Sequence, residues 1–137
     1  MIVLVVDASI ALTWCFEDEV TAETEAIGTR VDSEGAIVPG LWRLEVANTL
    51  LLAERRGRID RSDVEQRLEL LAALPISIDA DTGIRAWTDT LLLARAERLT
   101  LYDAAYLELA IRQDVELATL DRDLRRAARK MGVAIVP

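Results

Sequence analysis

The sequence predicts an α/β fold in which a central parallel β-sheet carries helices on both faces. Short apolar runs alternate with helical patterns along all 137 residues, the order that parallel strands joined by right-handed crossovers produce. The first run, IVLVV at residues 2–6, is mostly β-branched and typical of a strand buried on both faces. No internal repeat or linker divides the sequence, so we expect one domain over residues 1–137.

The first half of the chain begins with this strand, which ends at Asp7. A helix is predicted over residues 8–14, with Ser9 able to cap its start. Three further elements are then expected: a polar exposed helix, a short strand, and a long helix that is apolar over most of its circumference and therefore buried. Their ranges are 21–31, 36–38 and 41–56.

The second half opens with a helix over residues 62–74, for which Ser62 and Glu65 have the spacing of a capping box. Pro75 ends this helix, and an amphipathic helix is predicted from Asp81 or Thr82 to about residue 99. The remaining predicted elements are strand 76–78, helix 102–112, strand 115–119, helix 122–131 with Gly132 as its C-cap, and strand 133–136.

The composition excludes several kinds of site. The chain has no histidine, which excludes a histidine general base, a Ser-His-Asp triad and a histidine-ligated zinc. Its 24 acidic and 16 basic residues give a net charge of -8, which opposes binding to phosphate backbones unless cations reverse the local field. A single cysteine, Cys15, and an N-terminal apolar run too short to span a membrane favour a cytoplasmic protein without a membrane partner.

Four carboxylates stand at positions where ligand sites form. Asp7 ends the first strand, where open α/β sheets place ligands, although it could equally cap the next helix. Asp103 and Asp121 each have a capping role as an alternative, since each lies at a predicted helix start. Glu45 lies among leucines and valines, so it needs a partner, either a distant arginine or a bound cation. Taken together, the four residues favour convergence on one site.

Such a cluster must either protonate or bind cations, because carboxylates at close range repel one another. Oxygen ligands without histidine or cysteine select Mg²⁺ or Mn²⁺. Two divalent ions would change the net charge from -8 to -4, by addition of +4. Divalent ions on carboxylates are also the means by which nucleases activate water and neutralise the scissile phosphate without a side-chain base.

Several motifs then show a family resemblance that spans the whole chain. The segments VVDAS, PGLWRLEVANTL, LTLYDAAYLELA and LATLDRDLRRAA resemble, in order and spacing, the acidic motifs of the PIN domain. They are most similar to those of the VapC ribonuclease toxins of toxin–antitoxin modules. The resemblance implies a three-layer α/β/α sandwich, Mg²⁺- or Mn²⁺-dependent endoribonuclease activity, a homodimer, and inhibition by a VapB-like antitoxin.

The resemblance also assigns roles to individual residues. The catalytic and metal-binding set would be Asp7, Glu45, Asp103 and Asp121, with Asp7 bridging ions. Asp123 would either join the metal ligands or face solvent. Residues that support the ligands through hydrogen bonds would be Ser9, Asn48 and Thr119.

The RNA-binding surface is less defined by the sequence. A basic stripe on the last long helix has the spacing to contact phosphates, or simply to lie in solvent at a helix C-terminus. Its members are Arg122, Arg125, Arg126 and Arg129. The three tryptophans, Trp14, Trp42 and Trp87, lie in apolar helical patterns, which favours core or dimer packing over stacking on bases.

Three other functions remain open at this point. One is a PIN module that binds metal or RNA without turnover, and another is a housekeeping nuclease that is not a toxin. A phospho-acceptor receiver domain fits poorly, because such a domain needs a lysine near the acceptor and Lys130 is the sole lysine, at a helix end.

Overall fold

A parallel five-stranded sheet forms the centre of the computed structural model, which describes residues 4–137. The sheet order is β3-β2-β1-β4-β5, and every neighbouring pair is parallel. The strands are β1 Leu4–Val6, β2 Ala36–Val38, β3 Ile76–Ile78, β4 Glu116–Ala118 and β5 Ile135–Val136. Residues 2 and 3 of the predicted first strand lie outside the described residues.

Strand β1 is the centre of the sheet, as its β-branched sequence predicts. All three of its residues are fully buried, and Val5 is in register with Ile37 of β2 on one side and Leu117 of β4 on the other. The chain builds β2 and β3 outward on one side and then returns to build β4 and β5 on the other. The reversal between β1 and β4 creates a crevice beyond their carboxyl ends, the usual ligand position in open α/β sheets.

Helices cover both faces of the sheet and complete a three-layer α/β/α sandwich, as predicted. Eight helices occur within residues 4–137: α1 Ala8–Thr13, α2 Ala22–Glu34, α3 Trp42–Arg55, α4 Arg61–Ala72, α5 Thr82–Arg85, α6 Asp89–Glu97, α7 Leu101–Gln113 and α8 Arg122–Lys130. None of the helices described is both long and apolar enough to cross a lipid bilayer.

Helix α7 contains a continuous run of seven buried residues. It packs against β1 and β4, and all of its residues from 104 to 110 are buried. The small side chains of Ala104, Ala105 and Ala110 allow the helix to approach the sheet closely. Because the first turn of α7 lies next to Thr100 and carries Asp103, the packing of α7 also sets the position of that carboxylate.

The prediction that the long helix is buried holds for only one of its faces. Helix α3 buries one stripe, formed by Trp42, Val46, Leu50 and Ala53. Leu44, on another face, is 75% exposed. The apolar composition therefore predicts a larger buried surface on α3 than the structure has. Only the side of α3 that faces α1 and α4 has neighbouring helices to pack against.

Two predicted N-cap residues are also wrong. Helix α4 is capped by Asp60, which exchanges hydrogen bonds with Asp63 in a reciprocal capping box, rather than by Ser62. Asp60 reaches the backbone N–H of Asp63 at 2.8 Å and places the helix start one residue earlier. At α1 the N-cap position belongs to Asp7, and Ser9 lies within the helix.

The single amphipathic helix predicted up to residue 99 is instead two helices, α5 and α6. A turn over residues 86–88 separates them, and α6 begins at Asp89, whose charge favours a helix N-terminus. Arg85 bonds the Asp89 carboxylate across the turn at 2.7 Å. The apolar spacing is thus compatible with both helices, but the backbone at Thr88 is not helical.

Candidate active site

The carboxylate of Asp7 lies at the floor of the crevice between β1 and β4. The backbone N–H of Asp7 extends the sheet by donating to the Ala118 carbonyl at 2.9 Å, and the residue is 6% exposed. Its Oδ2 accepts hydrogen bonds from Ser9 at 2.8 Å and from Thr119 at 2.6 Å. Asp7 occupies the N-cap position of α1 but makes no side-chain capping bond, so the capping alternative does not account for it.

Ser9 and Thr119 join Asp7 to the loop that carries Asp121. Each hydroxyl donates to Asp7 and accepts from a backbone N–H of this loop: Thr119 Oγ1 from Asp121 at 3.1 Å, and Ser9 Oγ from Leu120 at 3.1 Å. Thr119 is fully buried, so the two hydrogen bonds of its hydroxyl, to Asp7 and from the Asp121 N–H, are sheltered from competing water. Ser9 and Thr119 thus each link the Asp7 carboxylate to the backbone of the loop after β4.

Asp103 and Asp121 lie at the starts of α7 and α8 and enter the same crevice from two sides. Asp121 does cap its helix, since its Oδ1 accepts from the Leu124 N–H at 2.9 Å. At α7 the cap is Thr100, which accepts from the Asp103 N–H at 3.1 Å. The capping alternative is thus correct for Asp121. At α7 the capping side chain is that of Thr100, and Asp103 contributes its backbone N–H rather than its carboxylate.

Glu45 lies in the first turn of α3, half-buried, and its partner is a tyrosine rather than an arginine. The Tyr106 hydroxyl donates to Glu45 Oε1 at 2.5 Å across a separation of 61 residues. Tyr106 was absent from the residues predicted from sequence. A signal was available, because Asp103 and Tyr106 are three residues apart on one helix and therefore share a face.

The carboxylates repel one another and are held in a poorly solvated place. Burial raises the pKa of Asp7, against the lowering effect of its bonds to Thr119 and Ser9. Burial also raises the pKa of Glu45, and the charges on Asp7 and Asp103 add to the rise. For Asp103, burial together with the charges of Asp121 and Asp7 raises the pKa to about 6. All of these shifts disfavour a negative charge in the absence of a counter-ion.

None of the four carboxylates has a basic partner among residues 4–137: no salt bridge there involves Asp7, Glu45, Asp103 or Asp121. Within the same residues, no group of three or more His, Cys, Asp or Glu side chains is arranged so that it could hold a metal ion. The donor set is nevertheless all oxygen and anionic, which suits a hard divalent cation. The chemistry of the residues fits such a cation, and their present spacing requires some side-chain adjustment to bind one.

Other predicted site residues lie at the margin. Asp123 is 76% exposed in its side chain and 4.0 Å from Arg126, although its charge contributes to the raised pKa of Asp103. Asn48 is exposed on α3. Within the stripe, Arg125 donates to the Thr119 and Pro137 carbonyls at 2.9 and 3.0 Å, so it joins the loop after β4 to the residue that follows β5.

The rest of the stripe is more exposed. Arg126 donates to the Glu97 carbonyl at 3.2 Å, and Arg122 and Arg129 are exposed. Among the tryptophans, Trp42 is buried and Trp14 donates to the Thr24 carbonyl at 2.7 Å. Core packing is the wrong interpretation for Trp87, which is 87% exposed in the turn between α5 and α6.

A further buried aspartate, Asp79, has the basic partner that the four site carboxylates lack among the described residues. Asp79 follows β3 and is 8% exposed, but Arg112 binds both of its carboxylate oxygens at 3.0 and 2.7 Å. Arg112 also forms a salt bridge with Glu108. The hydrogen bonds from Arg112 lower the pKa of Asp79 below its ordinary value. The buried carboxylate of β3 is therefore neutralised internally, whereas those around β1 and β4 are not.

Comparison with known proteins agrees with this architecture. The family model described as PIN domain matches residues 4–130. Ribonuclease VapC3 of Pyrobaculum aerophilum is 30% identical over 134 residues, which cover 98% of both chains.

Two solved structures share the fold. PAE2754 from Pyrobaculum aerophilum superimposes with a TM-score of 0.73 at 22% identity, over 98% of this chain and 90% of that one. VapC20 of Mycobacterium tuberculosis, a toxin that cleaves the sarcin–ricin loop, gives a TM-score of 0.62 at 14% identity, over 90% and 94% of the two chains. With its family match and its near-full-length relative, the chain belongs to the PIN domain family.

Proposed function

We propose that this protein is a Mg²⁺- or Mn²⁺-dependent endoribonuclease that acts as the toxin of a toxin–antitoxin module. The observation that carries the proposal is the group of four mutually repelling carboxylates, without a basic partner in the described residues, at the switch point of the sheet. Its similarity to Ribonuclease VapC3 supports RNA as the substrate. We propose that residues 1–137 work as one domain in the cytoplasm, as a homodimer with a VapB-like antitoxin.

The residues have distinct proposed roles in the reaction. Asp7, Glu45, Asp103 and Asp121 would hold the cation through carboxylate oxygens, with Asp123 as an additional ligand from the first turn of α8. A divalent cation bound there supplies charge neutralisation at the scissile phosphate and makes water a stronger nucleophile. Ser9 and Thr119 keep Asp7 in one orientation through their hydrogen bonds.

Binding and positioning of RNA would fall to groups around the crevice. Arg122 and Arg129 are exposed on α8, the helix that starts at Asp121, and would contact phosphates that flank the scissile bond. Asn48, exposed one turn from Glu45, would contact the nucleic acid or support that carboxylate. Without histidine, the chain has no imidazole to take the proton of a ribose 2′-hydroxyl, so we expect water as the nucleophile.

Purified protein incubated with total cellular RNA tests the nuclease proposal. Wild type should release discrete fragments with Mg²⁺ or Mn²⁺ and none with EDTA, and Asp103→Asn should be inactive. Asp114→Asn is a matched control on the same helix, because Asp114 is exposed at the opposite end of α7 in a left-handed conformation that asparagine tolerates. Folded wild type that binds RNA but never cleaves it, even at saturating Mn²⁺, would instead indicate a binding module.

Growth on induced expression separates a toxin from a housekeeping nuclease. Wild type should arrest growth, and Asp7→Asn should relieve the arrest at equal protein levels. A harmless but active wild type would refute the toxin role while leaving the nuclease in place.

A further inference from the structure

The hydroxyl of Tyr106 is a buried polar group placed inside the acidic site. The tyrosine is 0% exposed and sits in the middle of α7, whose surrounding residues from 104 to 110 are buried as well. Its ring is therefore held by packing on all sides, and the position of the hydroxyl is set by the fold rather than by solvent. That hydroxyl donates to Glu45 Oε1 at 2.5 Å.

Glu45 without this contact would be a long side chain with several rotamers at the edge of α3. It is half-buried and has no salt-bridge partner among the described residues. Within the part of the chain that the structure describes, the Tyr106 hydroxyl is the group that donates a hydrogen bond to this carboxylate. The bond occupies Oε1 and leaves Oε2 available to a cation.

We propose that Tyr106 is a positioning residue for metal binding, which fixes the Glu45 carboxylate so that its second oxygen can serve as a ligand. The inference rests on the proposed function, since it requires Glu45 to bind the cation. Under this proposal α7 contributes two residues to the site, three positions apart. Asp103 supplies a carboxylate, and Tyr106 orients the carboxylate of Glu45 on α3. Hydrogen-bonded groups behind metal ligands commonly change metal affinity 10- to 100-fold.

Mn²⁺ titration of the whole protein, followed by electron paramagnetic resonance of the free ion, tests the proposal without reference to catalysis. Tyr106→Phe should weaken Mn²⁺ binding about 10-fold or more. Tyr102→Phe is the matched control, because it removes the same hydroxyl one turn earlier on α7 from a side chain that is 65% exposed; it should bind as wild type does. Wild type that fails to bind Mn²⁺ would overturn the proposed function, and the inference with it.

A double-mutant comparison shows whether Tyr106 acts through Glu45. Tyr106→Phe combined with Glu45→Gln should bind Mn²⁺ no more weakly than Glu45→Gln alone. Additive losses, or Tyr106→Phe binding equal to or tighter than wild type, would overturn the positioning role while leaving the nuclease proposal intact. Circular dichroism and urea unfolding establish that each variant is folded.

A spectroscopic measurement keeps the inference testable should Tyr106→Phe not fold. The chain has two tyrosines, so Tyr102→Phe leaves Tyr106 as the single phenol for ultraviolet resonance Raman spectroscopy. Its tyrosine doublet should show a strongly donating hydroxyl, and Glu45→Gln in that background should shift the doublet towards a weaker donor. A doublet that Glu45→Gln leaves unchanged would refute the contact.

Discussion

Replacing Asp103 with asparagine removes one negative charge from the acidic site and keeps nearly the same size and shape. The pKa of this carboxyl is raised from 3.8 to about 6, mainly by burial and then by the charges of Asp121 and Asp7. A raised pKa means that the folded state holds the ionised group less favourably than the unfolded state does. Asp103→Asn should therefore make the protein inactive and more stable when no cation is bound.

The size of this effect follows from the pKa. A rise from 3.8 to about 6 corresponds to roughly 3 kcal/mol, at about 1.36 kcal/mol for each pH unit. Asp103 is partly exposed, so solvent screening reduces the gain in unfolding free energy to about 1–2 kcal/mol at pH 7.5. Between pH 3.8 and 6 the folded state binds more protons than the unfolded state, so the stability of wild type falls as pH rises through this window.

Urea unfolding in EDTA at pH 7.5 and at pH 4 measures the difference directly. The advantage of Asp103→Asn should be present at pH 7.5 and nearly absent at pH 4, where the folded aspartic acid is already neutral. Asp114→Asn, exposed at the far end of α7, should change stability by less than about 0.5 kcal/mol at either pH. Mg²⁺ at 100 times its Kd should stabilise wild type by about 2.7 kcal/mol and the Asp103 variant by less.

Two results would refute this reasoning about Asp103. One is a variant that is less stable than wild type at pH 7.5 in EDTA, since the carboxylate would then make favourable contacts. The other is a gain of equal size at both pH values, which would indicate a packing effect rather than charge repulsion.

The remaining predictions concern single side chains. Arg112→Ala leaves Asp79 and Glu108 buried without their partner and should lower the unfolding free energy by about 3–5 kcal/mol in urea; a loss below about 1 kcal/mol would contradict the role of this ion pair. Thr119→Val removes the hydrogen bond to Asp7 and should reduce RNA cleavage in Mg²⁺ about 10- to 100-fold, whereas Thr119→Ser should keep most of it. Trp87→Ala alters an 87% exposed side chain and should leave the unfolding free energy within about 0.5 kcal/mol; a larger loss would show that the indole packs against the protein.

The strands were predicted more accurately than the helices, for a physical reason. Short β-branched runs that end at Asp7 or Pro39, or that begin after Pro75, leave few alternatives to a strand of a parallel sheet. The face that a helix buries depends on which neighbours reach it, and the sequence of α3 has leucines on faces that no element covers. Leu44 is exposed for this reason, although its immediate sequence is as apolar as that of a core helix.

The sequence was sufficient to identify the carboxylates as candidate site residues. It was not sufficient to identify the side chains that pair with them. Asp7 and Asp79 are both buried and both follow a strand, and they differ because Arg112, 33 residues beyond Asp79, binds that carboxylate and not Asp7. Glu45 needed a partner by the physics of burial, but the choice of Tyr106 depends on how α3 and α7 pack. Such long-range pairing has no local signal beyond the three-residue spacing of Asp103 and Tyr106.

The chemistry of the RNA ends made by the purified protein tests the central claim most directly, because it distinguishes attack by water from attack by the ribose 2′-hydroxyl. If the carboxylates act through a divalent cation, the fragments should carry 5′-phosphate and 3′-hydroxyl ends. They should form with Mg²⁺ or Mn²⁺, and they should be absent when EDTA is added or when the Asp103→Asn variant is used. Fragments that end in a 2′,3′-cyclic phosphate and form equally well in EDTA would contradict it.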